Sequence, residues 1–114
     1  FAAAAVAVLT TEGHENKEYE LSGDDAWTYE EYAAEVSRQL GKDVAVNRVP
    51  GETHREILVG AGVPDPFAAI LVGVEDAISR GLLAVQTGDL SKLIGRPTTP
   101  ISHSITEGLQ TAQA

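Results

Sequence analysis

The side chains of this chain best suited to acid–base or metal chemistry are three histidines, His14, His54 and His103, because imidazole alone titrates near neutrality without help from its surroundings. A zinc peptidase would place two histidines four residues apart on one helix with a glutamate beside the first. No His-Glu-x-x-His spacing occurs. His103 and Glu107 are four apart and can share a helix face, but two ligands do not make a metal site. A serine nucleophile would need a partner histidine and a sharp turn to expose it, and there is no Gly-x-Ser-x-Gly elbow. His14 lies in a polar stretch, His54 beside Arg55 and Glu56, and His103 between two serines, so each reads as a surface residue.

The carboxylates are unevenly spread. Residues 1–35 hold nine acids against Lys17 alone, and the remaining eight acids face seven bases. Their spacing lacks the Asp-x-Asp-x-Asp-Gly pattern of a calcium loop, so the acidic third reads as a solvated face and a helix start. Gly60-Ala61-Gly62-Val63-Pro64 imitates half of a dinucleotide loop. It lacks a preceding strand and a third glycine, and Pro64 interrupts the place where a helix should receive a pyrophosphate. No Gly-x-x-x-x-Gly-Lys-Ser/Thr loop and no Tyr-x-x-x-Lys pair occurs. Taken residue by residue, the chain spells no catalytic constellation, no cofactor-binding loop and no metal site.

The elements that would have to position any site follow from pattern and punctuation. At 114 residues, 43% hydrophobic and 22% charged, the chain has the composition of one ordinary globular domain. The absence of cysteine removes disulfides, thiolate metal sites and cysteine nucleophiles. A net charge of −9 argues against nucleic acid and anionic membrane as partners. No apolar run is long enough to span a bilayer. A cytoplasmic protein is therefore the default expectation.

The first residues, Phe1 to Thr10, have high helix propensity but neither an N-cap nor a polar face. Together with the lack of any methionine, this leads us to expect a piece of a longer protein. Lys17–Leu21 alternates polar and apolar residues, as a short strand does, and Asp43–Val49 reads as a second strand. Between them Thr28-Tyr29-Glu30-Glu31 spells a capping box that opens a helix over Tyr29–Leu40, stopped by Gly41. Strand, helix and strand predict a right-handed βαβ unit with two parallel strands. Further helices are expected from Gly51 to about Gly60, Pro66 to Arg80, Leu90 to Ile94 and Ile101 to Leu109.

Read in order, certain residues resemble a known family. Gly13-His14-Glu15-Asn16-Lys17-x-Tyr19-Glu20-Leu21-x-Gly23-Asp24 and Ala26-Trp27-Thr28 are followed by Leu40-Gly41-Lys42-x-Val44 and Gly62-Val63-Pro64-Asp65. The series closes with Leu90-Ser91-Lys92-Leu93-Ile94-Gly95-Arg96-Pro97-Thr98-Thr99, its most specific piece. Over roughly residues 2 to 105 the chain is similar to the C-terminal half of NmrA-like NAD(P)H:quinone oxidoreductases, atypical extended-type short-chain dehydrogenases. The resemblance implies an α/β fold: the truncated C-terminal part of a Rossmann-type reductase, one βαβ unit plus several helices. It makes residues 1–114 a single substrate-side domain. In that family the N-terminal Rossmann half carries the Gly-x-x-Gly-x-x-Gly loop and nearly all contacts to NADP, so no cofactor residue is carried over to any position here.

What the resemblance implies for function is a portion that walls the substrate of a quinone-reducing enzyme. Phe67, Leu71, Leu82 and Val85 are the expected pocket residues, with core packing as the plainer reading of each. The chain alone is expected to bind no NADP, to turn nothing over and to self-associate through its apolar first helix. Two alternatives stay open: an NmrA-like sensor that binds NADP without turnover, and a secreted acidic binding module with a cleaved leader.

Overall fold

Thr28-Tyr29-Glu30-Glu31 folds as the capping box it spells. The Glu31 backbone N–H donates to Thr28 Oγ1 at 3.1 Å, and the Thr28 N–H donates to the Glu31 carboxylate at 3.0 Å. The helix that follows runs Tyr29–Leu40 and stops where Gly41 turns left-handed, its N–H returning to the Ser37 carbonyl. Replacing Thr28 by alanine is expected to cost about 1 kcal/mol through the lost cap. Urea denaturation would read this directly, and a change of only a few tenths would mean that the box adds nothing.

The computed structural model describes residues 1–113. Among the described residues there are six helices: α1 (Ala2–Thr10), α2 (Tyr29–Leu40), α3 (Gly51–Gly60), α4 (Asp65–Ser79), α5 (Asp89–Ile94) and α6 (Ile101–Gln113). They fall into two compact units. One joins Phe1–Val44 to Val85–Ala114, and the other is Ala45–Ala84.

In the first unit α1 packs on α5 and α2 on α6. Its buried apolar side chains are Ala4, Ala33, Leu90 and Ile105, so small residues let the helices approach and two large ones fill the space. Gln39 fastens α2 to α6 by donating to the Ser102 carbonyl at 2.8 Å and accepting from the Thr106 hydroxyl at 2.9 Å. As expected, α1 has no side-chain cap at its start.

The expected strands Lys17–Leu21 and Asp43–Val49 do not form. Among the described residues no β-ladder occurs, so the βαβ unit of the sequence reading is absent. Alternation of apolar and polar residues gives a segment a face, but a strand also needs a partner for its backbone groups. The stretch from Glu20 to Asp24 finds side chains instead. The Glu20 N–H donates to Asp89 Oδ2 at 3.1 Å, and the Glu20 carbonyl accepts from the Thr87 hydroxyl. Asp24 and Thr98 bond reciprocally, each backbone N–H donating to the other's side chain at 2.9 and 2.8 Å.

The second unit is an α-hairpin, α3 on α4, with Ala68 fully buried in its seam. Both helices end in the same motif. At the end of α3 the Val63 N–H donates to the Leu58 carbonyl and the Gly62 N–H to that of Val59, with Gly62 at φ +93°. At the end of α4 the Leu82 N–H donates to Ala77 and the Gly81 N–H to Ile78, with Gly81 at φ +74°. These are Schellman ends, for which a glycine at the left-handed position is the least strained choice. Pro66 stands in the first turn of α4, where its missing N–H leaves no bond unmade.

Candidate functional site

The four expected pocket residues divide between the two units. Phe67 and Leu71 lie one turn apart on α4 and Leu82 follows its Schellman end, all within Ala45–Ala84. Val85 opens the second stretch of the other unit. Phe67, Leu82 and Val85 are exposed and Leu71 is half-buried. Along α4, Phe67, Ile70, Val74 and Ile78 form an exposed apolar stripe, since spacings of three, four and four residues keep a helix face in line. Ala68, one residue beyond Phe67, is fully buried, so α4 has one covered face and one open face.

Arg55 closes the corner between α3 and α4. Its guanidinium forks onto Asp65, Nε to Oδ1 at 2.8 Å and Nη2 to Oδ2 at 2.7 Å. Hydrogen bonding to that guanidinium pulls the Asp65 carboxyl below its ordinary range, and Asp65 in turn raises Arg55. Beside the fork is a depression of about 500 Å³ lined by Glu52, Arg55, Glu56, Val59, Gly60 and Asp65. Three carboxylates and an already paired guanidinium make it a poor seat for a phosphate.

The same corner tests whether this chain could hold a dinucleotide itself. Gly60-Ala61-Gly62 joins helix to helix rather than strand to helix, and Gly62 is used by the Schellman end of α3. The first residue of α4 is Asp65, so a carboxylate stands where a pyrophosphate would seek the helix N-terminus. This corner does not offer the pyrophosphate seat of a dinucleotide loop.

The histidines behave differently from one another. His103 meets Glu107 at 3.4 Å on the exposed surface of α6, and His54 is half-buried on α3. His14, read from sequence as a surface residue, is half-buried and bonded through both ring nitrogens, to Thr11 and to Tyr19. Among the described residues no group of three or more histidine, aspartate or glutamate side chains is placed to hold a metal ion. Sequence reasoning also passed over Thr87, Asp89 and Thr98, which fasten the Glu20–Asp24 stretch. Their signal was the clustering of hydroxyl and carboxylate side chains around Gly88 and Pro97, residues that interrupt regular structure.

Glu35 is the carboxyl most strongly affected. Hydrogen bonds from Arg38, then from Gln39, hold it down to about 2 from an ordinary 4.5. A carboxyl lowered in the folded state contributes stability above its unfolded pKa and loses it as pH falls through the folded value. The Glu35→Gln chain should therefore show a flatter loss of stability between about pH 4.5 and 2 than the original. Thermal melts across that range test it, and superimposable acid limbs would show the contact to be inert.

No protein-family model matches the chain. Individual relatives do. It is 41% identical over 105 residues to quinone oxidoreductase 2 of Escherichia coli (strain K12), covering 92% of this chain and 37% of that protein. It is 31% identical over 96 residues to an NAD(P)H azoreductase of Xenophilus azovorans, covering 84% and 34%. The crystal structure of the NADPH-dependent quinone oxidoreductase from Escherichia coli superimposes with a TM-score of 0.90 at 40% identity, over 95% of this chain and 39% of that one.

The chain matches the C-terminal part of NmrA-like NAD(P)H:quinone oxidoreductases.

Another structural relative is the Citrobacter triphenylmethane reductase complexed with NADP(H), at TM-score 0.86 and 44% identity over 91% of this chain and 36% of that one. The solved relatives are Rossmann-type reductases, and the match is to their C-terminal part. The chain spans little more than a third of the length of the curated relatives it matches. Among the described residues no helix is long and apolar enough to cross a membrane.

Proposed function

We propose that this chain is the substrate-side portion of a cytoplasmic NAD(P)H-dependent oxidoreductase that reduces quinones by direct hydride transfer. The observation that carries the reading is the pairing of 40% identity to a quinone oxidoreductase with coverage of only 39% of it, in a chain whose own glycine loop is a helix–helix corner. NADPH, held by the other part of the parent, would supply the hydride. The contribution of this chain is a wall. Phe67, Leu71 and Leu82 on one unit, and Val85 on the other, are apolar and uncharged, each suited by itself to lie against a flat acceptor and to keep water away.

The single-domain reading of residues 1–114 goes with this role, and the chain alone is expected to turn nothing over. Incubating the full-length parent with NADPH and a benzoquinone tests the reading. Quinone-dependent oxidation of NADPH, reduced when Phe67 is replaced by alanine, is the expected result. A parent that binds NADPH yet never oxidises it in the presence of quinone would overturn it.

A further inference from the structure

We propose that His14 is a positioning residue, held as the neutral Nε2–H tautomer at the centre of a one-way hydrogen-bond relay that clasps Tyr19 onto the end of α1. The direction of the relay follows from what each atom is able to donate. Thr11 has a single hydroxyl hydrogen, and its Oγ1 lies 2.6 Å from the Ala7 carbonyl, which can only accept. That hydrogen is therefore committed. The same Oγ1 lies 2.6 Å from His14 Nε2 and must accept there, so Nε2 carries a proton. In a neutral ring Nδ1 then presents a lone pair, and the Tyr19 hydroxyl at 2.7 Å donates into it.

The surroundings hold this arrangement in place. The two rings meet edge to face, 5.8 Å between centroids and 66° between planes, and both residues are half-buried. The chain returns to make the contact through a tight turn, closed by the Lys17 N–H donating to the His14 carbonyl at 3.2 Å. Asn16 stands in that turn at φ +59°, a left-handed position that asparagine tolerates better than most residues. At its other end the relay finishes on Ala7, whose carbonyl also accepts the Thr11 N–H and so belongs to the last turn of α1.

The purpose of the clasp is visible in what comes next along the chain. Tyr19 precedes Glu20, whose backbone is gripped on both sides by Thr87 and Asp89, and Asp24 is tied to Thr98. His14 thus supplies the first of three side-chain anchors for a segment that has no ladder of its own. This inference is independent of the proposed reaction.

Long-range nitrogen–proton spectra of the 114-residue chain at about pH 8.5, above the usual histidine range, would show which His14 nitrogen is protonated. The expected result is a protonated Nε2 and a bare Nδ1. Amide exchange at Tyr19 to Leu21 is the second readout. His14→Ala should speed it up to about tenfold, the loss expected for one or two ordinary hydrogen bonds. His14→Gln, whose amide keeps one donor and one acceptor, should restore most of the protection. If the alanine variant does not fold, Tyr19→Phe removes a single hydroxyl and should leave Nε2 protonated, since Thr11 still accepts there, while amide exchange at Glu20 and Leu21 speeds up. A bare Nε2, or exchange in His14→Gln as fast as in a fully clasp-free chain, would overturn the proposal.

Discussion

Replacing Leu90 by alanine is expected to lower stability by about 2–5 kcal/mol, the range for removing a buried leucine side chain. Leu90 is 7% exposed, and Ile105 is the other large buried side chain of its unit. It sits on α5, the helix against which α1 packs, and the buried residue α1 contributes is only Ala4. A methyl group on one helix cannot fill the space left by a leucine on the other. The flanking residues restrict collapse as well, because Asp89 bonds the Glu20 N–H and the Ser91 hydroxyl donates to the Gly88 carbonyl. Leu90→Met, which nearly conserves volume, should cost less than about 1.5 kcal/mol. Urea midpoints of the two variants test the argument as a pair. Equal midpoints would mean that α5 is not held by close packing.

The second large effect concerns association. On α1 and its cap, Phe1, Val6 and Leu9 are exposed, Leu9 to 84%. Each Å² of such surface removed from water contributes about 25 cal/mol. The charge of −9 opposes pairing of two copies, but salt screens that term and leaves the apolar one intact. The 114-residue chain should therefore self-associate, more strongly as salt rises, and Val6→Glu with Leu9→Glu should return it to monomer. Sedimentation at several salt concentrations checks this. A monomer throughout would show that these side chains can stay wet without a partner.

The helices were legible because their signals are local. Thr28 and Glu31 lie within one turn, Gly62 and Gly81 mark ends that need a left-handed residue, and Pro66 stands where a helix accepts it. Strands carry no such local closure. Lys17–Leu21 has the right alternation, yet its backbone finds Thr87 and Asp89, residues whose approach no window of sequence reveals. The His14 relay was hidden for a related reason. A histidine among Gly13, Glu15 and Asn16 looks solvated until the turn at Asn16 returns Tyr19 to it. The apolar pocket residues were found by type, but nothing in their spacing told that Val85 belongs to a different unit from Phe67, Leu71 and Leu82.

The division of the chain sets an order of assembly during synthesis. Ala45–Ala84 is a continuous hairpin of local contacts, able to form as soon as α4 has emerged. The unit around it is not continuous. α1 and α2 leave the ribosome well before α5 and α6, the helices they pack on, and Asp24 waits 74 residues for Thr98. Until then the face of α1 that packs on α5 is not covered by its own unit. That interval, rather than the finished fold, is when this sequence most needs a chaperone.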